Sequence, residues 1–342
     1  MVKVGIVGLG FMGKMHAQSY ALLPNAEISA VVDRDKERVK ELTGQYGAKG
    51  YTSLDRMLAK ADVDVVDVCL PTNLHRRVVL KCAAAGKHVL CEKPIALTLR
   101  DADAMIAACR NARVKFMVGH VLRFWPEYTV VKQIVGSGRL GAIRSITASR
   151  LSPPPAWAWK DWFFNPKLSG GAVVDLHIHD LDQFAWLAGP PKTIFAGGLM
   201  NEYGAVQSVW TTCIGHPNGA VSFAQGTLAM PPSFPFTMTL TVVCEKGTVE
   251  FNSRLTPAIT VYPVDGEPEH PAIPDLTGGA TSEEAMGNIQ QLGGYYAEVK
   301  YFVNCVEQDR QVDVVTPEDA RLALAMCLAA RRSVEKGKPV RL

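Results

Sequence analysis

The sequence predicts two domains of different class. A parallel α/β domain is expected over residues 1–121, and an α+β domain with a large, mostly antiparallel sheet over residues 122–342. Three observations carry this. The chain has 342 residues, enough for two separate cores. Its first 120 residues alternate apolar runs of strand length with helix-length segments, the pattern of βαβ units. After about residue 121, strands follow one another with few helices between them.

In the first domain, "KVGIVGL", "AEISAVVD", "DVVDVCLP", "KHVLCEKP" and "VKFMVGH" read as strands. "FMGKMHAQSYALL", "RDKERVKELTGQY" and "LRDADAMIAACRNA" read as the helices between them. The second domain opens with helices, "PEYTVVKQIVGSG" and then "AVVDLHIHDLDQFAWLAG", separated by an aromatic- and proline-rich loop. The strands "KTIFAGGLM", "VQSVWTTCIG", "GAVSFAQGTLAM", "FTMTLTVVC", "TVEFNS" and "AITVYP" follow, and the helices cover one side of their sheet. "HPNG" marks a hairpin turn, with Asn218 and Gly219 both suited to positive φ. Residues 264–287 form a polar, Pro/Gly-rich loop. Amphipathic helices near 288–308 and 317–336 close the chain, the second with Pro317 at its first position, and these are free to pack back on the first domain.

Composition is that of a soluble globular protein, 48% hydrophobic and 20% charged. A formal charge of +3 with no dense Lys/Arg cluster argues against nucleic acid or an anionic membrane as partner. The strand pattern begins at residue 2, leaving no room for a signal peptide, and no apolar run reaches membrane-spanning length. The eight cysteines contain no C-x-x-C pair and lie mostly in apolar patterns, as reduced thiols of a cytoplasmic protein do.

The first strand runs into "GLGFMG", which is G-x-G-x-x-G at Gly8, Gly10 and Gly13. With a strand before it and a helix after it, this is the phosphate loop of a Rossmann domain. Gly8 allows the tight turn, Gly10 the approach of a pyrophosphate, and Gly13 close packing of helix on strand. Phe11 and Met12 lie at the helix N-terminus, whose N–H groups and dipole attract the anion. Asp33 ends the second strand, 20 residues past Gly13, where a carboxylate accepts from ribose hydroxyls and repels a 2′-phosphate. NAD is therefore expected over NADP, with Arg34 as the one neighbour suited to a phosphate. Pro71, Thr72, Asn73 and His75 follow the strand "VVDVC" at a ligand-binding sheet edge; Asn73 either touches the dinucleotide or caps the next helix.

Glu92 and Lys93 stand where the strand "HVLCE" surfaces, and Pro94 ends it. In "SGGAVVDLHIHDLD", Asp175 and His179 are i and i+4 of an expected helix, with Asp182 on the same face. An imidazole beside a carboxylate suits a proton acceptor; a structural Asp–His pair or a cap at Ser169 is the plainer alternative. A metal is not expected, because His177 and His179 on a helix point about 200° apart. Trp157, Trp159 and Trp162 either stack on a sugar ring and lid a site or pack at a subunit contact. Arg123 either contacts substrate oxygens or pairs with an acid.

Together, "GLGFMG", "CEKPIAL", "GHVLRFWPEY" and "SGGAVVDLHIHDLD" resemble the Gfo/Idh/MocA family of glucose–fructose oxidoreductases, inositol dehydrogenases and related sugar dehydrogenases. The resemblance spans the chain. It implies an NAD(P)-dependent dehydrogenase that moves hydride between nicotinamide C4 and a secondary alcohol of a sugar, sugar derivative or cyclitol. It implies His179 as general base, with Lys93 and Asp175 as its catalytic partners and all three at the substrate; Arg123, Trp157 and Trp162 are the further substrate candidates that the residues themselves suggest. Cofactor contacts are implied at the glycine loop, Asp33 and Lys93; Glu92 beside it either joins them or only pairs with a neighbouring cation. Two departures are Ser169 in place of a first glycine and His177 in place of another glycine, the second expected to narrow the substrate pocket. An open sheet face and a homodimer or homotetramer are further implications. Two other activities stay open: an NAD-retaining glycosidase that acts by transient oxidation, and a non-catalytic NAD-binding sensor.

Overall fold

A computed structural model describes residues 1–154, 165–201, 204–281 and 292–342. The chain begins β1 (Val2–Val7), α1 (Phe11–Ala21), β2 (Ala26–Val32), α2 (Lys36–Tyr46), β3 (Lys49–Tyr51) and α3 (Leu54–Lys60). It continues β4 (Val65–Val68), α4 (Thr72–Ala84), β5 (His88–Glu92), α5 (Leu99–Asn111) and β6 (Phe116–Gly119). A 3-10 turn at Val121–Arg123 precedes α6 (Pro126–Gly136), β7 (Ile143–Leu151), α7 (Ala172–Asp175) and α8 (Ile178–Ala188). Then come β8 (Thr193–Met200), β9 (Val206–Ile214), β10 (Val221–Thr227), β11 (Thr237–Cys244), β12 (Gly247–Asn252) and β13 (Ile259–Pro263). The chain closes with α9 (Gly293–Glu307), α10 (Pro317–Lys336) and β14 (Val340–Arg341).

Two compact units result. Met1–Phe124 and Asp275–Arg321 form the first; Trp125–Pro274 and Leu322–Leu342 form the second.

The first unit holds a six-stranded sheet of order β3-β2-β1-β4-β5-β6, in which every neighbouring pair is parallel. All four residues of β4 are buried, as expected of a strand covered on both faces. Val4, Ile6, Val31, Val65, Leu90 and Met117 build the core, and Val299 and Phe302 of α9 pack into it. Asp35 caps α2 by accepting the N–H groups of Glu37 and Arg38, and Gly47 ends it at φ 70°. Because strand order reverses between β1 and β4, the loops after these strands diverge and leave a crevice at their C-terminal ends.

The second unit holds an eight-stranded sheet of order β13-β12-β11-β7-β10-β9-β8-β14. Its centre is β7, a strand absent from the sequence expectation. β7 pairs parallel with β10 and antiparallel with β11. Its sequence, IRSITASRL, mixes Ile143, Ile146 and Leu151 with Ser, Thr and two arginines, and one of its buried positions is Arg150, so its hydrophobic alternation is weak. The turn between β9 and β10 is closed by Gly219 N–H to the His216 carbonyl at 2.8 Å. Gly219 takes positive φ (79°) but Asn218 does not, against expectation; the Asn218 side chain instead accepts the Ala220 N–H at 3.1 Å. Along β10 buried and exposed residues alternate: Ser222 and Ala224 face inward, Val221 and Phe223 outward. Trp210 and Ile214 of β9 are also exposed, so this sheet has one apolar face in solvent. Among the described residues no helix is long and apolar enough to cross a membrane.

Candidate active site

The glycine loop after β1 is shaped by steric need. Gly8 sits at φ +95°, and a Cβ there would lie 2.4 Å from the Cys69 carbonyl oxygen. A Cβ on Gly13 would lie 1.9 Å from the Gly8 carbonyl oxygen, which no side chain permits. Gly10 is the N-cap of α1, and its Cβ direction is open, with only the Arg38 guanidinium in reach at 3.7 Å. The first turn of α1, at Phe11, Met12 and Gly13, presents a helix N-terminus beside that opening. Asp33 is tied to this loop: one carboxylate oxygen accepts the Leu9 N–H (2.7 Å) and the other the Asp35 N–H (2.9 Å). Arg34 is exposed next to it. A crowded turn, an open approach at Gly10 and a fixed carboxylate at the end of β2 fit a dinucleotide.

At the neighbouring edge, Pro71 is the N-cap of α4, and Thr72 is its first residue. Asn73 lies inside the first turn and is exposed, so it does not cap the helix; the proline ahead of Thr72 already starts it. His75 is buried, with Nδ1 3.0 Å from the Pro94 carbonyl and Nε2 2.7 Å from the Leu70 carbonyl. Burial pulls its pKa down, favouring a neutral ring that donates to one of these oxygens. His75 thus ties the Leu70 turn to Pro94, the residue after Lys93.

Lys93 follows β5 directly and is half-buried; its peptide bond to Pro94 is cis. Its backbone N–H donates to the Glu92 carboxylate at 3.0 Å. The other Glu92 oxygen lies 3.1 Å from His16 Nε2 of α1, an ion-pair contact without hydrogen-bond alignment. His16 Nδ1 is 2.7 Å from Asp67 of β4. Although burial opposes the charge on His16, Asp67 holds its pKa well above the usual imidazole value. His16, Asp67 and Cys69 gather within 4.8 Å of one another. They are one another's hydrogen-bond partners, and burial pushes the Cys69 thiol up. Sequence reasoning missed His16 and Asp67. An acid inside the apolar strand VVDV was the available signal, since such a group needs a buried partner.

Arg123 is 4% exposed; it donates to the Val314 carbonyl at 2.9 Å and pairs with Asp319 at 3.2 Å. Of its two expected roles, pairing with an acid is the one its surroundings supply.

In the second unit the segment carrying Asp175 and His179 departs from the expected continuous helix. α7 ends at Asp175 and α8 starts at Ile178. The N–H of His177 reaches the Ala172 carbonyl, five residues back, at 2.9 Å, and Leu176 N–H reaches the same oxygen at 3.0 Å. One turn is therefore widened in the manner of a π-bulge, and the simple i, i+4 relation between Asp175 and His179 does not hold. Gly170 and Gly171, both at positive φ, lead the chain into this turn, and the Ser169 hydroxyl accepts the Gly171 N–H at 3.0 Å. Asp175 is 4% exposed and His179 is half-buried.

His177 is fully buried against the sheet, with Nε2 2.8 Å from the Thr211 hydroxyl. It packs on Gly226, where a Cβ would come within 2.8 Å of its ring, so it fills the helix–sheet interface instead of narrowing a substrate pocket. Burial lowers its pKa to about 4. Asp180 faces inward and pairs bidentately with Arg150, at 2.9 and 3.2 Å. Trp157, Trp159 and Trp162 lie outside the described residues.

Comparison with known proteins agrees with this geometry. Residues 2–120 match the family model "Oxidoreductase family, NAD-binding Rossmann fold". Residues 128–250 match the "GFO/IDH/MocA C-terminal domain". A myo-inositol 2-dehydrogenase of Thermotoga maritima is 28% identical, over 100% of this chain and 98% of its own. An inositol 2-dehydrogenase of Rhizobium meliloti is 27% identical, over 99% and 98% respectively. Among solved structures, the WlbA dehydrogenase of Bordetella pertussis, in complex with NADH and UDP-GlcNAcA, superposes with a TM-score of 0.83. That match is 24% identical and covers 100% of this chain and 98% of the other, so it speaks to the fold. With its glycine loop, its reversed strand order and both domains matched in sequence, the chain belongs to the GFO/IDH/MocA family of NAD-binding oxidoreductases.

Proposed function

We propose that the protein is an NAD-dependent dehydrogenase acting on a secondary alcohol of a sugar, sugar derivative or cyclitol. The observation that carries this reading is the Glu92-Lys93-Pro94 turn. It stands at the C-terminal edge of a nucleotide-binding sheet, in a chain that inositol dehydrogenases match from end to end. The pyrophosphate binds at Gly8, Gly10, Phe11, Met12 and Gly13, and the ribose hydroxyls at Asp33. Pro71, Thr72 and Asn73 border the same crevice. A carboxylate at Asp33 favours NAD; NADP is the weaker cofactor, met by Arg34.

Nicotinamide, when bound, supplies the hydride acceptor. His179 takes the hydroxyl proton on an imidazole nitrogen as the C–H bond breaks. Lys93 donates a hydrogen bond to the reacting oxygen and stabilises the negative charge that develops there. Asp175 orients the substrate and the histidine. The exposed apolar face at Trp210, Ile214, Val221 and Phe223 is read as the contact of a homodimer or homotetramer. All eight cysteines are unpaired, which supports a reducing, cytoplasmic setting.

A panel of cyclitols, sugars and nucleotide sugars, assayed with NAD and NADP by the absorbance of the reduced cofactor, tests this. Steady NADH formation with at least one polyol is expected. Release of free sugar from a glycoside without net NADH would replace the reading by a redox-assisted glycosidase. Cofactor binding with no turnover on any class would make the protein a sensor.

A further inference from the structure

The nucleotide-binding unit buries more acid than its proposed chemistry uses. Glu298, on α9, is fully buried, and neither carboxyl oxygen finds a hydrogen-bond partner among the described residues. Three charged groups act on it, His16 from α1, Asp67 from β4 and Glu92 ahead of Lys93, with the neutral Tyr20 phenol of α1 nearby. Gly119, the last residue of β6, separates two of the acids. A Cβ placed on it would lie 3.5 Å from one Glu92 oxygen and 3.6 Å from one Glu298 oxygen. The Glu92 oxygen on that side is the one that accepts the Lys93 N–H.

Three carboxyls, Asp67, Glu92 and Glu298, therefore surround a single imidazole. The imidazolium of His16 touches two of them, Asp67 at 2.7 Å and Glu92 at 3.1 Å. Among the described residues the third has no cation in contact, and a third bare charge in this dry space would be repelled by the other two. A carboxylic acid that keeps its proton there becomes a donor, and the acceptor across Gly119 is Glu92.

We propose that Glu298 carries a proton directed at Glu92, and that Glu298 and His16, the latter held by Asp67, are positioning residues that fix the Glu92 carboxylate and through it the backbone of Lys93. This deepens, and rests on, the assignment of Lys93 above. Burial first, and the Glu92 charge second, push the Glu298 carboxyl well above the ordinary range, in keeping with a protonated acid. His16 has the opposite effect on Glu92, whose pKa is lowered despite its burial.

Two measurements on the full chain test the proposal. Difference infrared spectra at neutral pH, wild type against Glu298→Gln, should show a protonated carboxylic-acid band that the variant lacks. In Glu92→Gln the repulsion is gone, so this band should disappear at a lower pH than in wild type. In kinetics, Glu298→Gln keeps the shape and a donor, and turnover should stay within about threefold of wild type. Glu298→Leu and Glu92→Gln should lose roughly tenfold or more in kcat with the KM for NAD changed less than about threefold, the mark of misplacement. A purely structural role would lower the melting temperature of Glu298→Leu without this kcat-against-KM split. The proposal is overturned by absence of the acid band at neutral pH, by a band unaffected in Glu92→Gln, or by a folded Glu298→Leu with wild-type kcat. If the band behaves as stated but no variant or wild type turns over a polyol, the proton network stands and the dehydrogenase reading fails.

Discussion

His177 is a histidine that the fold keeps neutral. It sits in the widened turn between α7 and α8, hydrogen-bonded to Thr211 and packed on Gly226. Its pKa falls from 6.5 to about 4 through burial. The unfolded chain binds this proton near pH 6.5 and the folded chain does not, so stability is fully present above that value and is lost as pH falls toward 4. The full effect is about 3 kcal/mol. His177→Gln should therefore flatten the fall in melting temperature between pH 6.5 and 4, measured by calorimetry; an unchanged acid limb would rule out this role. The family resemblance leads to the expectation that His177, standing where many members have glycine, narrows the substrate pocket. What separates His177 from His179 is which one the turn aims at the sheet, and a single extra residue in a helical turn leaves no mark in residue type.

At the scale of elements, the Arg150–Asp180 pair joins β7 to α8 in the second unit. Both groups are buried, and the Arg150 guanidinium also donates to the Tyr128 hydroxyl at 3.1 Å. Removing one partner leaves the other charge dry and unpaired. Arg150→Met should cost about 3–5 kcal/mol in urea unfolding, whereas Arg150→Met with Asp180→Leu should recover most of that loss. Equal losses in the single and double variants would mean that packing rather than charge sets the cost. Most elements were legible beforehand: five strands of the parallel sheet, the phosphate loop and the six antiparallel strands announce themselves by apolar runs and glycines. β7 did not, because a central strand that uses Arg150 as an inward residue breaks the alternation a reader looks for. The buried charge cluster of the first unit escaped for a related reason: His16, Asp67 and Glu298 lie on three elements far apart in sequence, and only the fold brings them together.

For the molecule as a whole, the exposed apolar face of the second unit's sheet is the surface on which the proposed homo-oligomer rests. Trp210 and Phe223 lie on adjacent antiparallel strands and are 38% and 41% exposed, too much apolar surface to leave in water over a whole sheet. Trp210→Glu with Phe223→Glu should move the protein from oligomer to monomer in sedimentation velocity, with its circular dichroism kept. A wild type that sediments as a monomer would contradict the oligomer reading. The fold class was readable at this scale from texture alone. The substrate was not, since no residue type in the sequence reads out one particular alcohol.

His179 and Lys93 are proposed to serve the same alcohol oxidation in an enzyme that binds NAD. This claim is tested most directly by kcat on the best polyol for wild type, Lys93→Met and His179→Ala, with NAD affinity measured on the same samples. Each variant should lose on the order of 10²-fold or more in kcat while His179→Ala keeps NAD affinity within about threefold. Near-wild-type turnover in both variants would contradict the claim.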